Sequence, residues 1–493
     1  MPKTIFGTTE KSNFILNMKS TTLQKWIHGV LVFCIIFPLL GAAILCGSDK
    51  RTFISGAFLY ATGFTCILFY LIVMLKKDVL FKDNKSYIAI ILMSILGLVS
   101  YYIAFGKISG TGYEASTPLL GNLGRQEGYL ALLSYFGIFL LATTVSSQKT
   151  VLNIMDLLVA AGFIQAGVAV LQHIPGLSFP SDYRDLPVIA YENVNLSSGL
   201  ADSPIFFGSL MTLLTGIAIT GAIYDKSIMR SRIYSIAAVL FFLTSLFTSS
   251  IVPLIGIGAV VVVLVVLQFI NAKNGKQRTF ESKLFKTPSA RLAVIIIALG
   301  ITLLIVALTQ GINIIDYIGT DHRRMPRDKS IAFYDSFYRL YVTGSMSPVN
   351  TQGLYEIAWS NSLEIIKNNP LFGIGPDCLA IENLLMGKQF DFLDKSYNEY
   401  LYIAATRGIP ALIVYLTLII FSIKRMITGF KAFKADNRSW FRAALPVALL
   451  AYLVQAFFSA STITVAPFFW LLLGFVWSTR LDSPTVKPKK AKN

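Results

Sequence analysis

The sequence predicts an all-α polytopic membrane protein, with about 12 transmembrane helices and a helical extracytoplasmic cap. Three observations predict it. Of 493 residues, 54% are hydrophobic and 14% charged, with a mean hydropathy of +0.63. Soluble chains carry about a quarter charged residues, so the apolar excess has to face lipid. Apolar runs of about 17–25 residues recur along the chain, each long enough to cross a hydrocarbon core about 30 Å thick. Basic residues, finally, alternate in density between the segments that join these runs.

The runs lie near 26–46, 52–75, 87–105, 128–146, 151–172, 203–224, 232–249, 251–270, 291–314, 400–423, 442–460 and 464–479. The first is followed at once by the second, with no small-residue cleavage site between them, so it reads as a membrane helix and not a cleaved signal. Only Ser249, Ser250 and Pro253 separate the seventh from the eighth, and one bent segment is the alternative there.

Topology follows from the basic residues. With the N-terminus inside, the inside segments hold 29 of the 43 Lys and Arg residues. Inverting the chain would put Lys273, Lys276, Arg278, Lys283 and Lys286 outside, against the positive-inside rule. The expected organisation is a cytoplasmic tail at 1–25, transmembrane helices 1–9 over 26–314, a large extracytoplasmic loop at 315–398, helices 10–12 over 399–479, and a basic cytoplasmic tail at 480–493. The net charge of +17 therefore points to membrane lipids and not to nucleic acid. The four cysteines lack paired spacing and read as packing residues, and the three histidines lack ligand spacing, so no metal or cofactor is expected.

A loop of the length of 315–398 calls for structure of its own. Within it, Leu354, Ile357, Ala358, Leu363 and Ile366 fall on one side of a helix over 354–367. Gly373, Gly375 and Pro376 then form a tight turn. Asn398 and Glu399 suit the cap and first turn of the tenth helix.

Two stretches, AWSNSLEIIKNNPLFGIGPDCL (358–379) and FLDKSYNEYLYIAATRGIPALIVYL (392–416), resemble the O-antigen ligase and polymerase superfamily of membrane glycan transferases. GRQEGYLALLSYF (124–136) is similar to a Gly-Arg-x-Glu-Gly-Leu segment of Gram-positive relatives, which makes this chain a divergent, Gram-positive-like member. The resemblance implies an enzyme of the bacterial plasma membrane. Its donor is a glycan on a polyprenyl (undecaprenyl) diphosphate. The acceptor is another glycan, a lipid or the cell wall, on the outer face. The donor is already activated, so the chemistry needs cations for the departing diphosphate and a base for the acceptor hydroxyl.

Departures from the family pattern fall at its functional positions. Where relatives carry a His before Asn as the base, this chain has Tyr397 before Asn398, and tyrosine, with a reference pKa near 10, is a weak base at neutral pH. An arginine expected before the amphipathic helix is replaced by Gly353 or Tyr355, and a Ser-Arg pair by Ser249-Ser250. Candidate catalytic residues are therefore Tyr397, Asp394 and His322; candidates for substrate binding are Arg125, Glu127, Arg407, Arg324, Arg339 and Asn398. Arg407 falls about two turns inside the tenth helix, a depth that is costly without a cavity or a partner. Two rivals stay open: an inactive homologue that binds the same lipid-linked glycan or a partner enzyme, and a polysaccharide transporter.

Overall fold

The computed structural model describes residues 20–44, 51–75, 85–111, 113–122, 125–174, 197–201, 203–248, 252–273, 288–309, 354–388, 394–431 and 439–478. Over these residues the chain is helical. The helices are α1 (Ser20–Ile44), α2 (Arg51–Leu75), α3 (Ser86–Ile108), α4 (Thr117–Leu120), α5 (Tyr129–Thr143), α6 (Gln148–His173), α7 (Pro204–Tyr224) and α8 (Ile228–Leu246). They continue as α9 (Val252–Lys273), α10 (Pro288–Thr309), α11 (Leu354–Asn368), α12 (Leu379–Leu385), α13 (Glu399–Arg407), α14 (Ile409–Lys431), α15 (Phe441–Gln455) and α16 (Ala466–Val476). Six helices are long and apolar enough to cross a membrane, and six shorter apolar ones accompany them. The architecture is that of a membrane protein.

The outer helices bury one stripe and expose apolar side chains on the other. In α1, Leu23, Ile27, Leu31 and Cys34 are buried at helical spacing, while Trp26 and Phe33 are exposed. In α3, Ile90, Met93, Gly97, Ser100 and Ala104 face inward and Ile88, Ile91, Ile95 and Tyr102 outward. A soluble helix would turn polar residues outward; apolar ones on both faces suit a lipid surround. By contrast α7 is buried on every side, and it packs against α8, α9 and α15. Two of its threonines return their hydroxyls to carbonyls one turn back, Thr212 to Gly208 at 3.0 Å and Thr220 to Gly216 at 2.7 Å. At its far end Arg291 donates to the carbonyls of Ile223 (3.2 Å) and Asp225 (3.0 Å). Arg230 pairs there with Asp156 and Asp225.

The segment 232–270 is two helices, α8 and α9, as the sequence reading has it, and not one bent segment. Two sequence expectations are corrected. The helix expected over 400–423 is broken into α13 and α14 at Gly408, whose φ is 88°. Arg407 therefore ends a short helix instead of lying within a long one. The buried face of α11 is also rotated: Ala358, Asn361, Ser362 and Ile365 are buried and Leu363 is exposed. Asn361 and Ser362 find buried polar partners, Asn383 at 2.6 Å and Ser396 at 2.7 Å. Those bonds offset the cost of burying them.

Candidate functional site

Three turns meet beside α13. One joins α4 to α5, one leads into α12 and one leads into α13. Each carries a residue in the left-handed region: Gln126 (φ 56°), Asp377 (φ 56°) and Tyr397 (φ 45°). These are the non-glycine residues with positive φ among the described residues. Such conformations cost on the order of 1–3 kcal/mol each and gather where the surroundings over-determine them. Here ionic bonds between the turns do so.

At the centre is Lys395, 0% exposed. Its Nζ donates to Glu127 Oε2, to Asp377 Oδ1 at 3.1 Å and to Tyr402 Oη at 3.0 Å. Asp377 Oδ2 accepts from the backbone N–H groups of Asn122 (2.8 Å) and Glu127 (3.4 Å). Arg125 donates from Nε to Asp394 Oδ2 at 2.5 Å, and its guanidinium lies 5.2 Å from the centre of the Phe206 ring. Burial alone would strip the proton from Lys395, but Asp377 and Glu127 outweigh it and hold the ammonium well above the ordinary lysine value. The three carboxylates outnumber the two cations. Burial pushes the Glu127 carboxyl up to about 7; Lys395 opposes this, and Asp377 reinforces it. Its Oε1 is buried and has no hydrogen-bond partner among the described residues.

The Asn-Pro-Leu-Phe-Gly-Ile-Gly-Pro segment has a concrete task on the other side of α13. Ile374 N–H donates to Ala405 O (3.0 Å) and Gly375 N–H to Thr406 O (2.9 Å), while Ile409 N–H donates to Pro370 O (2.8 Å). Ser100 of α3 adds a bond to Thr406 O at 2.7 Å. The turn thus satisfies carbonyls that the end of α13 would otherwise leave bare. Contact is close: a Cβ on Gly408 would stand 2.1 Å from Leu371 O, and one on Gly373 2.4 Å from Thr406 C. Asn398 caps the start of α13, accepting from Tyr400 and Leu401 N–H at 3.0 Å each.

Between α13 and the helices behind it lies a cavity of about 30 Å³, lined by Tyr135, Glu399, Tyr402, Arg407 and Ser461 among others. It has room for about two waters. The Glu399 carboxylate accepts from Tyr415 (2.9 Å) and Tyr452 (2.8 Å). Arg407 Nε and Tyr135 Oη are buried without hydrogen-bond partners among the described residues. Tyr402 belongs to both halves: its hydroxyl bonds Lys395 and Asp377, and its ring lines the cavity.

Of the residues singled out in the sequence, Arg125, Glu127 and Asp394 come together in the ionic cluster. Arg407 lines the adjoining cavity, and Asn398 caps the helix between them. Tyr397 packs in an apolar group with Ala358, Ile365, Ile374 and Leu379. His322, Arg324 and Arg339 lie outside the described residues, as do Ser249, Ser250 and Gly353. Sequence reasoning missed Lys395, Asp377 and Tyr402. The one local signal of Lys395 and Asp377 is charge beside a turn or helix start, which solvated loops share, and Tyr402, an uncharged residue within α13, has none. No group of His, Cys, Asp and Glu suited to a metal ion occurs among the described residues.

Residues 236–416 match the family model of O-antigen ligase. That match takes in Asp377, Asp394, Lys395, Tyr402 and Arg407, while Arg125 and Glu127 lie before it. No protein of curated function matches the chain.

Proposed function

We propose that this chain, a member of the O-antigen ligase and polymerase superfamily, moves a glycan from a polyprenyl diphosphate carrier to an acceptor hydroxyl on the outer face of the bacterial plasma membrane. The observation that carries the reading is the meeting of Arg125, Lys395 and Arg407 with buried carboxylates around one short broken helix. Ligase-like transfer needs charge of both signs: cations for the departing diphosphate and a carboxylate for the acceptor proton.

In this reading about twelve spans are supplied by the six long and six shorter apolar helices, with both termini cytoplasmic, as the Lys and Arg distribution favours. The segment 315–398, which includes α11 and α12, forms the extracytoplasmic cap. Arg407 receives the diphosphate: its Nε is unbonded among the described residues, and it borders a cavity beside membrane helices. Arg125, oriented by Asp394, adds a second cation from the far side of α13. A diphosphate is larger than the 30 Å³ cavity, so binding has to widen it, and the break at Gly408 falls between two of its lining residues, Arg407 and Ala411. Tyr397, Asp394 and Asn398 shape the acceptor side.

The test is transfer of a labelled oligosaccharide from polyprenyl diphosphate to envelope acceptors in proteoliposomes, with parent and Arg407→Ala compared. Turnover that falls at least about tenfold in the variant supports the reading. Tight carrier binding without turnover, where an active relative works, overturns it in favour of a binding homologue.

A further inference from the structure

We propose that Glu127 Oε1 is the proton acceptor for the incoming hydroxyl, a function that the family pattern would give to the position of Tyr397. The inference rests on the transfer reading and deepens it.

Three buried carboxylates (Glu127, Asp377 and Glu399) and the partly buried Asp394 lie in or beside α13, and their bonds separate them. Both oxygens of Asp377 are occupied, by Lys395 and Tyr402 on one side and by two backbone N–H groups on the other. Both oxygens of Glu399 are taken by tyrosines. Among the described residues, Asp394 has one oxygen without a partner and gives the other to a guanidinium, whose charge does not titrate. Glu127 Oε1 likewise has no partner among the described residues, and Oε2 accepts from an ammonium shared with Asp377. A proton on Glu127 leaves two cations against two carboxylates in the cluster, with Lys395 still paired to Asp377 and Arg125 to Asp394.

Charged and titratable groups face Glu127 from every neighbouring element. Lys395 and Asp377 come from the other two turns, Arg125 from its own turn, Tyr60 from α2, Tyr135 from α5 and Tyr402 from α13. Tyr60 donates to Leu120 O and Gln126 O, and Tyr402 to Asp377. The carboxyl's elevation to about 7 suits a base that must take a proton and give it back at neutral pH. Arrival of an anionic donor adds negative charge nearby and strengthens that basicity.

The step balances within the two substrates and this side chain. The acceptor oxygen attacks the anomeric carbon as its proton passes to Glu127 Oε1. The bond from that carbon to the diphosphate oxygen breaks, and its electron pair leaves with the polyprenyl diphosphate. The proton then passes from Glu127 to solvent or to the departing diphosphate.

The experiment uses the full chain in proteoliposomes with a polyprenyl diphosphate-linked oligosaccharide, comparing parent, Glu127→Gln, Glu127→Asp and Asp394→Asn. Carrier binding and pH–rate profiles are measured for each, and infrared spectra follow the protonated carboxyl band across pH 5–9. The expected result for Glu127→Gln is a loss of turnover of about 10²–10⁴-fold with carrier binding changed only a few-fold. Glu127→Asp keeps part of the activity with a displaced acid limb, and a carboxyl band that fades as pH rises through neutrality in the parent is missing from Glu127→Gln. An active parent whose Glu127→Gln variant keeps the same rate and acid limb overturns the inference and leaves the transfer reading intact. A parent that binds carrier without turnover overturns the transfer reading and the inference with it, even if the infrared titration is seen.

Discussion

Lys395 and Glu127, separated by 268 positions in the sequence, form an ion pair with 0% and 6% side-chain exposure. A buried pair of this kind is costly to break, because removing one partner strands the other, typically by about 3–5 kcal/mol. Lys395→Met leaves Glu127 and Asp377 facing each other without their shared cation, so a fall in stability of that size is expected. Thermal unfolding in detergent checks it. Adding Glu127→Gln to Lys395→Met should recover part of the loss, because it removes one stranded charge. No recovery would mean that the carboxylate was not the burden.

Gly408 is expected to be intolerant of a side chain. With φ 88° and Leu371 O only 2.1 Å from the site of a Cβ, Gly408→Ala combines about 1–3 kcal/mol of backbone strain with displacement of the 370–375 turn. Gly429 in α14, with nothing within 4 Å of its Cβ position, is the matched control. Gly429→Ala should unfold at or slightly above the parent's midpoint. Equal midpoints for the two variants would contradict the close contact.

The raised Glu127 carboxyl gives stability a definite pH dependence. In the folded chain it holds a proton up to about 7, whereas an unfolded glutamate releases it near 4.3. The folded state binds the extra proton between those values, so the contribution is complete below about 4.3 and is lost as pH rises through about 7. The unfolding midpoint of the parent, measured relative to Glu127→Gln, should therefore decline from pH 4.5 to 7.5. A difference that is flat or rises across that window would show a carboxyl with an ordinary value.

Tyr397 separates shape from chemistry. Its ring packs against Ala358, Ile365 and Leu379, so Tyr397→Ala should cost about 3–5 kcal/mol as a cavity. Tyr397→Phe keeps the ring, and transfer should stay within about threefold of the parent if the proton goes elsewhere. A hundredfold loss in Tyr397→Phe, with carrier binding intact, would return the base to that hydroxyl.

Runs of apolar residues made the membrane helices legible in the sequence, because burial in lipid leaves no choice of which residue types to use. Arg125, Glu127 and Asp394 were found in the same way as any charge flanking such a run. Lys395 and Asp377 were not, since a lysine in a polar turn looks the same whether solvated or sealed beneath two other turns. The break at Gly408 was hidden for a related reason. Arg407, Gly408 and Pro410 together spell a helix stop, but the long apolar run on the far side outweighed it, and the distant 370–375 turn supplies the bonds that make stopping there favourable. The rotated face of α11 escaped because Asn361 and Ser362 read as solvent-facing until Asn383 and Ser396 supply partners.

Glycan transfer from a diphosphate carrier is tested most directly by stoichiometry. In proteoliposomes holding the parent protein, polyprenyl diphosphate released and glycan joined to acceptor would be counted in the same sample. The account expects one carrier freed for each glycan transferred, with both signals lost together in Arg407→Ala and in Glu127→Gln. Carrier bound in register with protein but never freed, under conditions where an active relative releases it, would contradict the account.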